Sequence, residues 1–375
     1  MEQWMARIAI APSTRGLLLA VMAIVLFLSR PAITWLLYGR KKTSSMVLAI
    51  VVSSLTLTAY PFIPLEHAVG AIFLLRACQG FFLAIYSSAT ISLLVDCIPK
   101  GQSARGFAIF SLTLLIPFAI LPAIGEELLV LVGGEAELFA ATALLGIPAL
   151  ATLPFLRNKL NAQAISNQAQ RNNRALMWQS LRITDLGLVY LACLTFSIMT
   201  NEAIFFMKGL CQSIGALPAY FFTTYTSTIM VIRLIGNRFF DRFPRYPVML
   251  TCAVLLALCT KMMSQSHGSE LILLSVVYGT GLGLLYPLLA ALVCDRSAMA
   301  VRSLNTNLMM AAFDLSSCLA PILGGLIVNH GFGYQGVFIS TSISISICGA
   351  SLLLDMILQK RKAKKAIPPT GELPL

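Results

Sequence analysis

Residues 76–106 read RACQGFFLAIYSSATISLLVDCIPKGQSARG, and residues 278–302 read YGTGLGLLYPLLAALVCDRSAMAVR. In the first stretch Gln79 and Gly80 precede Asp96 by seventeen and sixteen residues; in the second Tyr278 and Gly279 precede Asp295 by the same distances. An offset of 199 therefore superposes one apolar, small-residue-rich segment and its charged exit on another. Pro99 and Arg105 follow the first acid, and Arg302 follows the second. Arg30 and Arg233 also fall near the exits of two further apolar runs, each ahead of a charged turn. The chain is read as an internal duplication, with the first apolar run matching the second helix of the later half.

Composition says what solvent surrounds the duplicated unit. Of 375 residues 58% are hydrophobic and 11% charged, and the mean hydropathy is +0.83. Too few charged side chains are present to cover a soluble particle of this size, so the reading is an all-α membrane protein. Spans of about 20 residues are expected near 16–37, 44–64, 68–95, 104–125, 138–156, 184–206, 215–239, 247–263, 271–293, 304–328 and 335–356, eleven transmembrane helices in the chain. The first run contains Arg30 and Pro31 and leads into Tyr38-Gly39-Arg40-Lys41-Lys42, which suits a span better than a cleaved leader.

The connecting segments alternate in charge. One set carries Arg40, Lys41, Lys42, Lys100, Arg105, Arg157, Lys159, Arg171, Arg174, Arg182, Arg242, Arg245, Arg296, Arg302 and the tail bases Lys360 to Lys365; the other carries Glu66, Glu126, Glu127, Glu135, Glu137, Lys208, Glu270 and His330. Positive charge stays in the cytoplasm, so the tail and the 157–183 connection are expected inside and the first residue outside. The expected domains are a five-helix bundle over 1–156, a cytoplasmic linker over 157–183, a six-helix bundle over 184–358 and a basic tail over 359–375. The net charge of +12 acts as a topology signal and as an attraction to anionic membrane lipid, not as a nucleic-acid surface. The localisation this implies is a bacterial cytoplasmic (inner) membrane, with the chain a monomer.

The chain resembles the major facilitator superfamily of transporters. The run Arg76-Ala77-Cys78-Gln79-Gly80 with Asp96, Pro99, Arg105 and Gly106 resembles that family's fourth-helix motif and the loop after it. Residues 236–245, GNRFFDRFPR, resemble the second-half copy of its cytoplasmic gating motif, and 278–287 with Asp314, Gly324 and Gly325 resemble the tenth and eleventh helices of efflux-type members. The first-half gating copy keeps Gly39-Arg40-Lys41 but has Leu36 and Leu37 where the family has Asp and Arg. The resemblance implies a two-bundle fold from which the first helix is missing, whether supplied by an upstream start or dispensed with. It also implies a cytoplasmic gate of Gly39, Arg40, Asp96, Arg105, Gly236, Asp241, Arg242, Arg245, Asp295 and Arg302.

Several residues carry candidate chemistry. Arg76 lies inside an apolar span, where an uncompensated guanidinium is costly; the alternative is snorkelling to the interface. Asn307, Ala311, Asp314, Cys318 and Pro321 recur at three- and four-residue spacing, placing Asn307 and Asp314 on one stripe. Asp314 is read as a proton carrier, as a neutraliser of a cationic solute, or as a structural partner of an arginine. Asn201 and its neighbour Glu202 are read as an outer gate or as a solute or proton site. Gln79, Gly80, Ser87, Tyr278, Gly281, Gly283, Tyr286 and Pro287 are assigned to cavity lining or helix packing.

Enzymatic and metal chemistry have no support in the sequence. No glycine-rich loop ends in Lys-Ser or Lys-Thr, no His-Glu-x-x-His occurs, and His67, His267 and His330 all fall in connections. No cofactor is expected, and nine cysteines lack ligand spacing. The expected function is proton-coupled export of a small organic solute by an antiporter. Uptake of a metabolite or metal-chelate, and a non-transporting receptor or scaffold, are the alternatives.

Overall fold

The computed structural model describes residues 2–37, 42–99, 101–155, 185–236, 240–266, 268, 270–299 and 301–366. In hydrocarbon every backbone N–H and C=O must find an internal partner, so a chain of this composition forms helices. They are α1 (Glu2–Arg7), α2 (Pro12–Leu37), α3 (Lys42–Thr58), α4 (Ala68–Cys97), α5 (Ser103–Val132), α6 (Glu135–Phe155), α7 (Gly187–Ser213), α8 (Pro218–Ile235), α9 (Arg245–Met263), α10 (Leu271–Arg296), α11 (Arg302–Ile327) and α12 (Gly333–Ala366).

Glycine supplies the breaks. Gly133 ends α5 at φ 95° and Gly215 separates α7 from α8 at φ 70°, a left-handed conformation that side chains with a Cβ resist. The apolar run Arg302–Lys362 has 61 residues, about 90 Å as one helix, three times the hydrocarbon thickness. Gly331 at φ 85° and Gly333 at φ 60° turn it back between α11 and α12.

Eight helical runs among the described residues are long and apolar enough to cross a membrane. The eleven separate spans expected from sequence are not recovered as such. α8 is not among the eight, the described apolar stretch of α5 is Ser103–Pro117, and 302–362 is one apolar run that Gly331 and Gly333 divide at the place expected between 304–328 and 335–356. The physical reason is legible for α8, which carries five Ser and Thr and Arg233. The linker 157–183, the tail from 367 onward, and Gly39 and Arg40 of the gate lie outside the described residues.

The helices gather into two bundles. In the first, α2 and α3 pack on α4, and α6 packs on α3; in the second, α7 lies against α11 and α12, α9 against α10 and α12, and α8 against α10. α5 crosses the boundary to pack on α8 and α10, while α11 packs on α2 and α4. Short α1 folds back: Trp4 meets Tyr60 and Phe139 edge-on at 5.7 and 6.4 Å, Met5 is buried, and Arg7 pairs with Glu135 at 2.8 Å. Among the described residues of the basic connections, Arg105 and Arg245 meet Asp241 and Asp295 at one end of the molecule, called the basic end below.

Close helix crossing depends on missing side chains. A Cβ at Gly80 would stand 2.5 Å from the carbonyl oxygen of Met22, so α2 and α4 touch backbone to backbone only with glycine here. Gly80→Val is expected to lower stability by about 1–3 kcal/mol, read as a drop in the thermal midpoint of the protein in detergent. Gly70→Val, where nothing stands within 4 Å, is the control and leaves the midpoint near wild type.

Candidate functional site

The bundles are joined through side chains in the half nearer the basic end. Deepest is an ion pair: Arg30 of α2 donates through Nε to Asp314 Oδ2 of α11 and through Nη2 to Asp314 Oδ1 at 3.3 Å. Arg30 is 4% exposed. A two-pronged guanidinium–carboxylate contact is among the stronger polar interactions, and low dielectric raises the cost of separating it. Two turns toward the basic end Asn307 donates to Ser92 Oγ at 3.1 Å and Ser88 O at 3.3 Å, and Ser303 donates to Ser92 Oγ at 2.6 Å. All four residues are buried.

At the basic end itself an acid of the second bundle caps a helix of the first. Asp241 accepts from the backbone N–H of Ala104 at 3.0 Å and of Arg105 at 3.1 Å, and Ser103 donates to Asp295 Oδ1 at 2.5 Å. The first N–H groups of α5 have no partners within the helix and carry the positive end of its dipole, so a carboxylate is the right acceptor. Arg245 holds both acids, at 3.5 Å from Asp241 and 2.6 Å from Asp295. Within the first bundle Lys42 pairs with Asp96 at 2.7 Å. Of the residues expected at the gate, Asp241, Asp295 and Arg245 thus meet at the start of α5. Arg105 contributes its backbone. Gly236 closes α8, Arg242 is exposed beside Asp241, and Arg302 opens α11.

The two ionisable candidates Arg76 and Asp314 have different partners. Arg76 Nε and Nη2 donate to the α2 carbonyls of Leu18 and Leu19 at 3.3 and 3.0 Å, while Asp314 takes Arg30. Gln79 accepts from Tyr60 Oη at 3.1 Å and its Nε2 is buried without a partner. Ser87 bonds the Leu83 carbonyl of its own helix. Arg30 is the residue that sequence reasoning placed in the duplication but did not pair; its only signal was a cation inside an apolar run.

The α10 residues are used in packing. Tyr278 is fully buried among Phe221 and Tyr225, and Tyr286 lies 5.3 Å beneath the Arg233 guanidinium and 5.7 Å from Phe313. A Cβ at Gly281 would meet Leu256 and one at Gly283 would meet Ile232. Pro287 is buried within α10. Asn201 donates to Ser316 at 2.7 Å and Ser317 at 3.2 Å, and Ser197 also bonds Ser316. Glu202 is fully buried, with Ser340 Oγ donating to Oε1 at 3.2 Å. Among the described residues no group of three His, Cys, Asp or Glu side chains is placed to hold a metal ion.

The sequence profile of the major facilitator superfamily matches residues 1–212 and again 212–374. The chain belongs to the major facilitator superfamily. It is therefore a multi-pass membrane transport protein and not an enzyme. No curated protein sequence matches it significantly. Solved structures of similar fold include the human organic anion transporter MFSD10, at 15% identity over 94% of this chain and 88% of that one with a TM-score of 0.68. The proton:xylose symporter XylE is similar at 13% identity over 94% and 88%, TM-score 0.72. The Escherichia coli fucose:proton symporter FucP is similar at 11% identity over 92% and 91%, TM-score 0.67.

The capping acid generates a prediction. Asp241→Ala removes the acceptor from the α5 terminus, a loss of about 0.5–2 kcal/mol, hence a severalfold to roughly thirtyfold shift toward an opened basic end. Labelling of a cysteine placed at Ser103, buried here, is expected to speed up accordingly; unchanged labelling would show the cap is idle.

Proposed function

We propose that this protein is a proton-coupled secondary transporter that takes up a small organic solute. It is read as sitting in the cytoplasmic membrane of a bacterium with its basic end inside, working as a single chain among lipids. Counting α5 and α8 as spans and 302–362 as two gives eleven crossings, with the first residue outside and the tail inside. The observation that carries the reading is the buried Arg30–Asp314 pair between the bundles. For the bundles to rock apart at the basic end this pair must separate, which leaves two charges in a site that cannot hydrate them. A proton on Asp314, or a polar solute group against Arg30, removes that obstacle. The closed end then opens only when loaded, which is coupling.

Uptake is preferred to the export expected from sequence. That expectation rested on the glycine-rich part of α10, whose glycines are consumed in packing against α8 and α9. Two of the similar structures are proton:sugar symporters by description, and a chain closed at its inner end is the form that meets solute from outside.

Purified protein in vesicles with an acid exterior, offered a panel of labelled sugars and organic anions, is the test. Accumulation of at least one solute, abolished by a protonophore, is expected. Accumulation indifferent to the protonophore removes proton coupling, and none across the panel favours the receptor reading. Removing one partner of a buried pair costs about 3–5 kcal/mol, so Arg30→Ala and Asp314→Asn should each cut gradient-driven uptake by roughly a hundredfold or more at equal membrane content.

A further inference from the structure

Midway along α7 the carboxyl of Glu202 is fully shielded from solvent. Its Oε1 accepts from Ser340 of α12, and its Oε2 is buried with no hydrogen-bond partner among the described residues. No Lys, Arg or His among the described residues forms an ion pair with it. Residues 202, 206, 209 and 212 recur at helical spacing and so share one face of α7. Along that face, toward the end opposite the basic one, lies a cavity of about 460 Å³ lined by Phe206, Gly209, Gln212, Gly325, Asn329 and Tyr334 among others. Gly209 and Gly324 have no side chains, which lets the Tyr334 and Phe206 rings lie against their backbones. The Phe206 ring belongs to the turn directly beyond Glu202.

We propose that this cavity is a proton inlet and that Glu202 is the acid it serves, holding a proton while the basic end is closed. The inference rests on the proton-coupled reading and names where the proton resides. In the closed form Asp314 already faces a guanidinium and needs no proton until the pair parts, whereas a carboxyl with no counter-charge and one unpartnered oxygen is tolerated only as the neutral acid. The step is a simple transfer: a hydronium in the cavity gives its proton to Oε2, leaving water and a neutral carboxyl. The return step passes that proton to water once the other end opens. The groups facing this region are few. α7 brings Lys208, exposed on the cavity wall; α12 brings Tyr334; α11 brings Asp314, bound to Arg30, and the turn after it His330, whose ring bonds the Leu326 carbonyl; α10 brings Tyr278, bonded to Met199. None of them bonds Glu202.

Infrared difference spectroscopy of the whole protein in lipid vesicles tests this without any solute, so its outcome is independent of whether transport is found. A neutral-carboxyl C=O band is expected in wild type at neutral pH and absent from Glu202→Gln. Ser340→Ala should move the band to higher frequency, since a donor to that carbonyl is lost; this decides the matter if Glu202→Gln fails to fold. Gln212→Trp, at the exposed mouth, should slow exchange of the band in heavy water severalfold. A band that survives Glu202→Gln and disappears in Asp314→Asn, or one unmoved by Ser340→Ala, overturns Glu202 as the site. Exchange indifferent to Gln212→Trp overturns the inlet.

Discussion

A charge pair that cannot be wetted governs this molecule. Arg30 and Asp314 lie on helices of different bundles, away from water, so each is stable only while the other is present. The contacts around them follow from that. Once α2 and α11 are drawn together there, the small residues Ser88, Ser92 and Ser303 let α4 and α11 approach closely enough for Asn307 to bond across. The start of α5 then comes within reach of Asp241 and Asp295. One electrostatic constraint near mid-depth and one helix cap at the basic end fix the same closed arrangement. Both are reversible by a single proton or a competing charge, which packing alone is not.

Much of the fold was legible because lipid makes sequence patterns blunt. Apolar runs of span length, alternating connection charge and the 199-residue offset suffice for helices, bundles and their duplication. Boundaries were less legible where polar residues are used inside a helix. The hydroxyls of α8 lower its hydropathy, yet Thr228 bonds the carbonyl of Thr224 in its own helix, so such a residue costs the helix little. The break expected between 304–328 and 335–356 is made by the left-handed backbone of Gly331 and Gly333.

The site was legible by residue but not by pairing. Asp314, Asn307, Asp241, Asp295 and Arg245 were all singled out from sequence, and all lie on the joint between bundles. Which arginine meets Asp314 was not decidable, since helix rotation about its axis sets the partner and no periodicity reports it. Arg76 was the obvious cation, but its reach is satisfied by two carbonyls of α2 within its own bundle.

The duplication shows why one half can signal to the other. Arg76 ties α4 to the carbonyls of Leu18 and Leu19 on α2; Arg233 ties α8 to the carbonyls of Leu282 and Gly283 on α10 at 3.4 Å. Since α2 corresponds to α8 and α4 to α10, each bundle uses a guanidinium to clamp the same pair of helices, though from opposite members. A clamp to carbonyls is insensitive to protons, because a backbone oxygen does not titrate near neutral pH. Arg30, the counterpart of Arg233 within a helical turn, is instead directed outward to a carboxylate of the other bundle. Replacing a carbonyl acceptor by a titratable one turns a static clamp into a contact whose strength depends on a proton. The asymmetry between two related arginines, more than any single residue, is what gives a symmetric scaffold a direction in which to respond.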